Sequence, residues 1–180
     1  KTFGTYLAPE IIEQMYKTRG TPALGGETRR ATAYFTDIAG FSTFSEKLAA
    51  RHLLELLNEY LSAMTNILIS EQGTLDKYIG DAIVAFIGAP TDVPDHALRG
   101  CRIALRMQSA LAELRQKWAH EKLKPGEEDR NMKKLPPDQW TPGDKWPKIV
   151  HEMKMRIGIN TGELVVGNMG SQLRMNYTMM

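Results

Sequence analysis

Two aspartates, each close to a glycine at the end of an apolar run, are the residues of this sequence best suited to chemistry. Asp37 lies in the run FTDIAGF (residues 35–41), and Asp81 ends the run KYIGD (residues 77–81). Carboxylates at strand ends, with small residues that let phosphates approach the backbone, suit a hard divalent cation and a nucleotide. Oxygen ligands favour Mg²⁺ or Mn²⁺ over zinc. The pair therefore predicts a two-metal site that handles phosphate.

Each aspartate also has an ordinary structural explanation, since Asp81 could simply form a turn and Asp37 could cap a helix. In a ferredoxin-like unit, however, the first strand lies beside the central hairpin, so its end and the hairpin turn meet at one edge of the sheet. Two carboxylates brought close repel each other unless a cation lies between them. The four histidines are on predicted helices or in a long loop, where we expect them to be solvated (His52, His96, His120 and His151).

Three further features suit a nucleotide. Residues 40–43 (GFST) enter a predicted helix, whose first amides can bind phosphate, although the run lacks the spacing of a Walker loop. Lys77 alternates with Leu75 and Ile79 and is predicted to share their side of the strand. It is either a solvated edge residue or a donor directed across an interface at a base. Arg156, also in a predicted strand, is either exposed or binds a triphosphate through its planar guanidinium.

The apolar pattern predicts the elements that position these groups. Strands are predicted at residues 31–36, 74–79, 82–87, 153–160, 164–168 and 175–180, with a turn at 161–163 and a loop at 167–174. One helix is predicted to begin within residues 42–45 and to end near residue 70. A second is predicted to begin at residue 92 or 95 and to end near residue 118. This order predicts an α+β fold, a ferredoxin-like βαββαβ core with an extra C-terminal hairpin, in which helices flank an antiparallel sheet.

The second helix is expected to bury four residues (Leu98, Cys101, Leu105 and Leu111), so the one cysteine is predicted to be a buried apolar group in a reducing compartment. Residues 120–151 are rich in proline and have no clear period, which predicts a long surface excursion. We predict a short amphipathic helix within residues 1–19 and a loop at 20–27, as a linker from an upstream region. Residues 28–180 are then one globular domain.

The charge balance and hydropathy exclude some classes of protein. The net charge is only +2, and positive residues are interleaved with acids, so we expect no nucleic-acid partner. No stretch approaches the roughly 18 apolar residues that a membrane span needs. The sequence begins without methionine and ends within a predicted strand. We therefore expect a piece of a longer polypeptide, and in particular a cytoplasmic domain of a membrane-anchored protein.

Four runs in order, FTDIAGF (35–41), LDKYIGD (75–81), RIGINTG (156–162) and GNMGS (167–171), resemble the catalytic domain of class III adenylyl and guanylyl cyclases. The resemblance covers essentially all of residues 28–180, and residues 3–10 are similar to the segment that often precedes this domain. It implies the class III cyclase fold. Four ordered motifs with matching spacing argue strongly against a chance match, and the details favour the adenylyl cyclase type.

The resemblance implies a role for each matching residue. Asp37 and Asp81 would be the catalytic carboxylates that hold two Mg²⁺ or Mn²⁺ ions per site, together with the backbone carbonyl of Ile38. Phosphate binding falls to the amides of Gly40, Phe41 and Ser42 and to the side chain of Arg156. Lys77 and Thr178 match the two base-recognition positions. Lysine at the first position is similar to adenylyl cyclases, where guanylyl cyclases usually carry glutamate.

The implied activity is adenylate cyclase, which converts ATP to 3',5'-cyclic AMP and pyrophosphate for intracellular signalling. The resemblance places the site at a homodimer interface, with the metal and phosphate residues from one protomer and Lys77 and Thr178 from the other. An upstream sensor would control assembly. The family also has an Asn and an Arg on a helix after the Thr178 strand, beyond the end of this sequence. The alternatives are a guanylyl cyclase and a non-catalytic, nucleotide-binding or dimerising regulatory domain. A diguanylate-type cyclase lacks support, because Tyr78 to Ala82 do not supply its hairpin motif.

Overall fold

The structure, a computed structural model, describes residues 24–126, 136–171 and 174–180. Its strands are β1 (Gly25–Ile38), β2 (Thr74–Ile79), β3 (Ala82–Ile87), β4 (Met155–Ser171) and β5 (Arg174–Met179). Its helices are α1 (Phe41–Ser45), α2 (Ala50–Ser70), α3 (His96–His120) and α4 (Lys148–His151), with a 3₁₀ turn at Pro137–Gln139. The helix expected within residues 1–19 lies outside the described residues. None of the described helices is long and apolar enough to cross a membrane.

The five strands form one sheet in the order β2-β3-β1-β4-β5, and every neighbouring pair is antiparallel. Strands β1 to β4 and the helices between them have the ferredoxin-like order. Strand β5 extends the sheet by forming a hairpin with the second half of β4. The predicted fold class is therefore confirmed, and β2 and β3 have the bounds that the sequence predicts.

The main core lies between one face of the sheet and the helices α2 and α3. Strand β1 shows why the two faces differ, since Tyr34, Thr36 and Ile38 are buried, whereas Phe35 and Asp37 on the opposite face are partly exposed. The α2 residues of this core are Leu56, Tyr60, Met64 and Leu68. The helices therefore cover one face and leave the other open around Phe35, which is 50% exposed.

Strands β1 and β4 are much longer than the sequence predicts. They pair without interruption from Gly25 opposite Asn168 to Ile38 opposite Met155. The turn predicted at residues 161–163 is therefore wrong, as is the loop expected over residues 25–27 and 167–171. The local Thr-Gly-Glu turn signal is overridden because continuous pairing satisfies the backbone of both strands.

Helix α3 turns a different face to the sheet from the predicted one, although Leu111 is buried as predicted. Leu98, Cys101 and Leu105 are exposed, and the buried face consists of Gly100, Ile103, Met107, Leu111 and Trp118. The prediction of a buried cysteine is therefore wrong. Gly100 explains the phase, because a Cβ there would lie 3.2 Å from Thr32 Cγ2 and 3.3 Å from Ile159 Cγ2. The helix contacts the sheet through Gly100, its smallest residue, and Leu98 and Leu105 therefore point outward.

The region expected to be a surface excursion contributes to the core. Trp146 and Val150 are buried in the main cluster, and Trp146 Nε1 donates to Glu121 Oε2 at 2.6 Å. His52 packs edge-on against Trp146 at 5.9 Å between ring centroids and is buried. His96 shares a 2.7 Å hydrogen bond with the Thr32 hydroxyl. The expectation that all four histidines are solvated is therefore wrong for these two and for His151, whose Nε2 is buried.

Candidate active site

The two predicted metal-binding aspartates meet at one end of the sheet. Asp37 is the penultimate residue of β1, and Asp81 lies in the turn between β2 and β3, where Gly80 adopts a φ of +62°. The backbone N–H of Ile38 donates to Asp81 Oδ2 at 2.6 Å. Asp81 is therefore bonded to the residue that follows Asp37, as expected from strands β1 and β3 being neighbours.

Arg156 pairs with Asp37 across the β1–β4 ladder. Its Nε donates to Oδ1 at 2.8 Å and its Nη2 donates to Oδ2 at 2.6 Å, so both carboxylate oxygens are engaged. This hydrogen bonding lowers the pKa of Asp37 below its ordinary value; desolvation partly opposes the shift, and the positive charge of Arg156 adds to it. Arg156 remains 69% exposed and Asp37 40% exposed. The guanidinium therefore engages a carboxylate that is predicted to bind metal, and its exposure leaves it room to turn to another anion.

The donors of this site fit a hard divalent cation. The described part of the chain contains no group of three or more His, Cys, Asp or Glu residues that could hold a metal ion. Asp37 and Asp81 provide carboxylate oxygens, and Asp81 is held beside β1 by the Ile38 N–H; the Ile38 carbonyl is the third predicted ligand. Mg²⁺ is typically held by one or two carboxylates, with waters and substrate phosphates completing its shell. The small protein donor set is therefore sufficient for such an ion when a polyphosphate is bound.

Two core residues that the sequence analysis did not single out lie under this site. Thr36 Oγ1 accepts a hydrogen bond from the Ile83 N–H at 3.3 Å, which ties β1 to β3 next to the Asp81 turn. Tyr60 of α2 is fully buried, and its pKa is raised to about 12 by burial and by the charges of Asp81 and Asp37. The only sequence signal for them is a polar residue within an apolar run.

The predicted phosphate-binding turn directly follows β1. Gly40 has a φ of +71°, a conformation that favours glycine, and the short helix α1 begins at Phe41. Gly40 and Ser42 are exposed, whereas Phe41 packs partly against the main core. The three residues thus lie close in sequence to Asp37 at the solvent-facing end of β1. Phosphate binding by their amides stays a prediction.

A second polar cluster joins the two edge strands, β2 and β5. Lys77 Nζ donates to Thr178 Oγ1 at 3.2 Å, and the Thr178 hydroxyl donates to Asp76 Oδ2 at 2.5 Å. A small apolar cluster that includes Phe86 of β3 and Tyr177 of β5, whose rings are 5.9 Å apart, also links this half of the sheet. The structure therefore brings together the two predicted base-recognition residues, although they are 101 positions apart in sequence.

A β-bulge at Asp76 gives Lys77 its direction. The β2–β3 register shifts between Leu75 and Lys77, which leaves Asp76 as the extra residue. Leu75 packs against the helical core, and Tyr78 reaches α2 through a 2.7 Å hydrogen bond between its hydroxyl and that of Thr65. The prediction that Lys77 shares a side with Leu75 is therefore wrong. No role for Asp76 is predicted from the sequence, and nothing in its local pattern indicates the bulge.

The fold is that of a nucleotidyl cyclase catalytic domain. The family model described as the adenylate and guanylate cyclase catalytic domain matches residues 26–179. The chain therefore belongs to this family, which confirms the resemblance found in the sequence.

Two of the relatives that match nearly the whole chain are named adenylate cyclases. Adenylate cyclase 1 of Rhizobium meliloti (strain 1021) is 27% identical over 179 residues, which are 99% of this chain and 23% of that protein. Adenylate cyclase of Anabaena cylindrica is 30% identical over 177 residues, which are 98% of this chain and 28% of that protein. The chain thus spans about a quarter of the length of these curated relatives.

Solved structures of both cyclase types have this fold. The adenylyl cyclase CyaB from P. aeruginosa is 31% identical with a TM-score of 0.67, over 87% of this chain and 68% of that chain. The guanylyl cyclase Cya2 is 33% identical with a TM-score of 0.65, over 87% of this chain and 66% of that chain. The two similarities are nearly equal, so base specificity must be argued from the residues of this chain.

Proposed function

We propose that this domain converts ATP into 3',5'-cyclic AMP and pyrophosphate. The observation that carries the proposal is the contact between Lys77 and Thr178 across β2 and β5. Adenine presents an amino group at position 6, which needs an acceptor, and a ring nitrogen beside it, which needs a donor. An ammonium group next to a hydroxyl oxygen offers this pair. The relatives named adenylate cyclase support the same substrate.

The carboxylates at the other cluster would bind the cofactor. Asp37, Asp81 and the Ile38 carbonyl would hold two Mg²⁺ or Mn²⁺ ions. When bound, such ions make the ribose 3'-hydroxyl easier to deprotonate and stabilise the leaving pyrophosphate. The Ile38 N–H fixes the orientation of Asp81 in advance, because it already donates to that carboxylate. The protein residues therefore act mainly by placing charge, which suits phosphoryl chemistry.

Arg156 and the turn after β1 would bind the triphosphate. Arg156 holds Asp37 through two hydrogen bonds, and a cation on Asp37 would release the guanidinium to a phosphate. The amides of Gly40, Phe41 and Ser42 would add donors at the same end of the sheet. In this proposal, substrate binding replaces the ion pair between Asp37 and Arg156 with two others. Asp37 then pairs with the metal ion, and Arg156 pairs with a phosphate.

The complete site would form between two copies of the chain. The metal and phosphate residues would come from one protomer, and Lys77 and Thr178 from its partner, as the family resemblance implies. The open sheet face supports an interface, because it exposes the apolar residues Phe35 and Ile79. An upstream region of a cytoplasmic, membrane-anchored protein would then control signalling by controlling how the domains at residues 28–180 pair.

Replacing either aspartate tests the reaction. We expect Asp37→Ala and Asp81→Ala in the full-length protein to abolish Mn²⁺-dependent formation of cyclic AMP, because each removes a cation ligand. Circular dichroism should show an unchanged fold. Asp92→Asn, in an exposed turn after β3, is the matched loss of a carboxylate and should leave turnover unchanged. Near-normal turnover by either alanine variant at saturating Mn²⁺ would remove the metal assignment.

Mixing two inactive variants tests the shared site. Asp37→Ala and Lys77→Ala proteins, co-refolded in equal amounts, should form mixed dimers with one intact site and one doubly damaged site. With random pairing about half of the dimers are mixed, each with one good site of two, so activity should return to roughly a quarter of the parent value. Mixed dimers that form without any rescue would place both residues in the site of a single chain.

A guanylyl cyclase is the second candidate, and the 33% identity to Cya2 favours it. Lys77 argues against it, because guanylyl cyclases usually carry glutamate at the matching position. Turnover of GTP that equals or exceeds turnover of ATP by the parent protein would select this alternative. Nucleotide binding without cyclisation of either substrate would select the non-catalytic regulatory domain.

A further inference from the structure

Asp76 is a buried carboxylate at the edge of the base-recognition pair. Its side chain is only 1% exposed, and the β-bulge directs it toward β5 next to Lys77. Its Oδ2 accepts the Thr178 hydroxyl hydrogen at 2.5 Å. Its Oδ1 lies 3.4 Å from Lys77 Nζ and has no hydrogen-bond partner among the described residues. A buried acid in this position requires an explanation, because burial of a charge is costly unless it is paired.

The contacts of the Thr178 hydroxyl show what Asp76 does. A hydroxyl has one hydrogen to donate and two lone pairs to accept with. The hydrogen is committed to Asp76 Oδ2, and one lone pair receives the Lys77 ammonium at 3.2 Å. One lone pair remains. Thr178 can therefore act toward a third group only as an acceptor, although threonine on its own could act in either sense.

We propose that Asp76 is a positioning residue for base specificity, which makes the Thr178 hydroxyl an obligate acceptor and so selects 6-amino over 6-oxo purine nucleotides. This inference rests on the proposed function, since it concerns the same base-recognition pair. Asp76 does not touch the base. It acts through the direction of the Thr178 hydrogen and through the charge it offers to Lys77.

The purine edge explains the selectivity. The amino group at position 6 of adenine donates a hydrogen bond, which the remaining Thr178 lone pair accepts. A 6-oxo purine presents an acceptor at that position, so two lone pairs would face each other. A site built for one hydrogen-bonding pattern strongly rejects a ligand with the opposite pattern, because its buried polar groups are left unpaired. The discrimination therefore depends on where one hydroxyl hydrogen points.

Asp76→Asn reverses the polarity at nearly constant volume. The Lys77 ammonium attracts the amide oxygen, so the amide NH₂ faces Thr178 and donates to it. The Thr178 hydrogen is then free to point at the base. Inosine triphosphate is the appropriate probe, because hypoxanthine has the 6-oxo group without the 2-amino group of guanine. We expect the parent to favour ATP over inosine triphosphate at least ~100-fold in kcat/KM. Asp76→Asn should reduce that ratio at least about tenfold.

Three further proteins separate this role from a structural one. Asp76→Ala frees the hydroxyl and should also lower the ratio, whereas Asp92→Asn, an exposed carboxylate outside the cluster, should not. In a Thr178→Val background, Asp76→Asn should change the ratio less than about threefold, because the hydroxyl through which it acts is absent. If ATP and inosine triphosphate lose activity in parallel in both Asp76 variants, Asp76 is only structural and the proposal is wrong.

A further measurement tests the proposal if the Asp76 variants do not fold. If neither Asp76 variant folds, Thr178→Ser, which keeps the hydroxyl and its hydrogen bond, must retain the preference for ATP, and Thr178→Val must lose it. Any other pattern overturns the inference. Equilibrium binding of the two nucleotides separates it from the proposed reaction. A parent that binds ATP more tightly than inosine triphosphate but forms no cyclic AMP contradicts the reaction alone. Equal binding, with normal cyclic AMP formation, contradicts the role of Asp76 alone.

Discussion

Gly167 should be one of the least replaceable residues of the sheet. It lies in β4 opposite Gly26 of β1 and opposite Thr178 of β5, so both neighbouring strands depend on its position. A Cβ at this residue would lie 2.1 Å from the Gly25 carbonyl oxygen and 2.4 Å from Gly26 Cα. Both contacts are backbone atoms, which cannot turn away as a flexible side chain can. We therefore expect Gly167→Ala to destabilise the domain by forcing β1 and β4 apart.

The size of the effect follows from these distances. Reaching ordinary contact from 2.1 Å requires a relative backbone shift of more than 1 Å within a continuous ladder. Overpacking of this kind costs roughly 1–3 kcal/mol, and the lack of any side chain to move places this case at the upper end. Alanine also lowers the conformational entropy of the unfolded chain, and this offsets only about 0.4–1 kcal/mol of the lost stability. We expect a net loss of about 2 kcal/mol, or a decrease in Tm of roughly 4–8 °C for a domain of this length.

Gly158→Ala is the matched control, because it makes the same substitution in the same strand where a Cβ meets nothing within 4 Å. Its free energy of unfolding should change by less than about 1 kcal/mol, with stabilisation the expected sign. Urea denaturation followed by circular dichroism measures both variants. Equal stabilities for the two alanine variants would mean that β1 and β4 do not approach as closely at Gly167 as the structure shows.

Two other predictions concern the site. Lys77→Glu should lower kcat/KM for ATP at least ~100-fold, because a hydrogen-bond donor proposed to face the base is replaced by an acceptor; unchanged ATP kinetics would make Lys77 a solvated edge residue. Arg156→Gln should raise the pKa of Asp37 toward its ordinary value, since the guanidinium hydrogen bonds that lower it are lost. Asp37 would then be protonated at higher pH than in the parent. Carboxyl-carbon NMR titration and the acid limb of Mn²⁺ binding should both shift upward in pH, and a shift in the opposite direction would contradict the assigned pair.

The features that the sequence predicts well are those fixed by neighbouring residues. The hairpin of β2 and β3 is determined by two short apolar runs around Gly80, and its bounds are the predicted ones. The meeting of Asp37 and Asp81 follows from the strand order, which the alternation of strands and helices already indicates.

The features that the sequence does not predict depend on contacts between distant segments. The length of β4 is determined by its pairing with β1, which outweighs the local turn preference at residues 161–163. The phase of α3 depends on Gly100 packing against Thr32 and Ile159. The bulge at Asp76 is stabilised by a partner 102 positions away. In each case the contact that determines the structure is made with another element, so the local sequence pattern does not predict it.

The shared role of β4 has a consequence for how this domain fails. The strand carries Arg156 at one end, and at the other it supports β5 with Thr178. Local opening of β4 would release both at once, so the two polar clusters belong to one cooperative unit in hydrogen exchange. In the proposed dimer, each protomer gives its metal and phosphate residues to one site and its base-recognition residues to the other. A single opening event in one protomer would therefore silence both sites together, and partial activity would come from fewer intact dimers rather than from half-active ones.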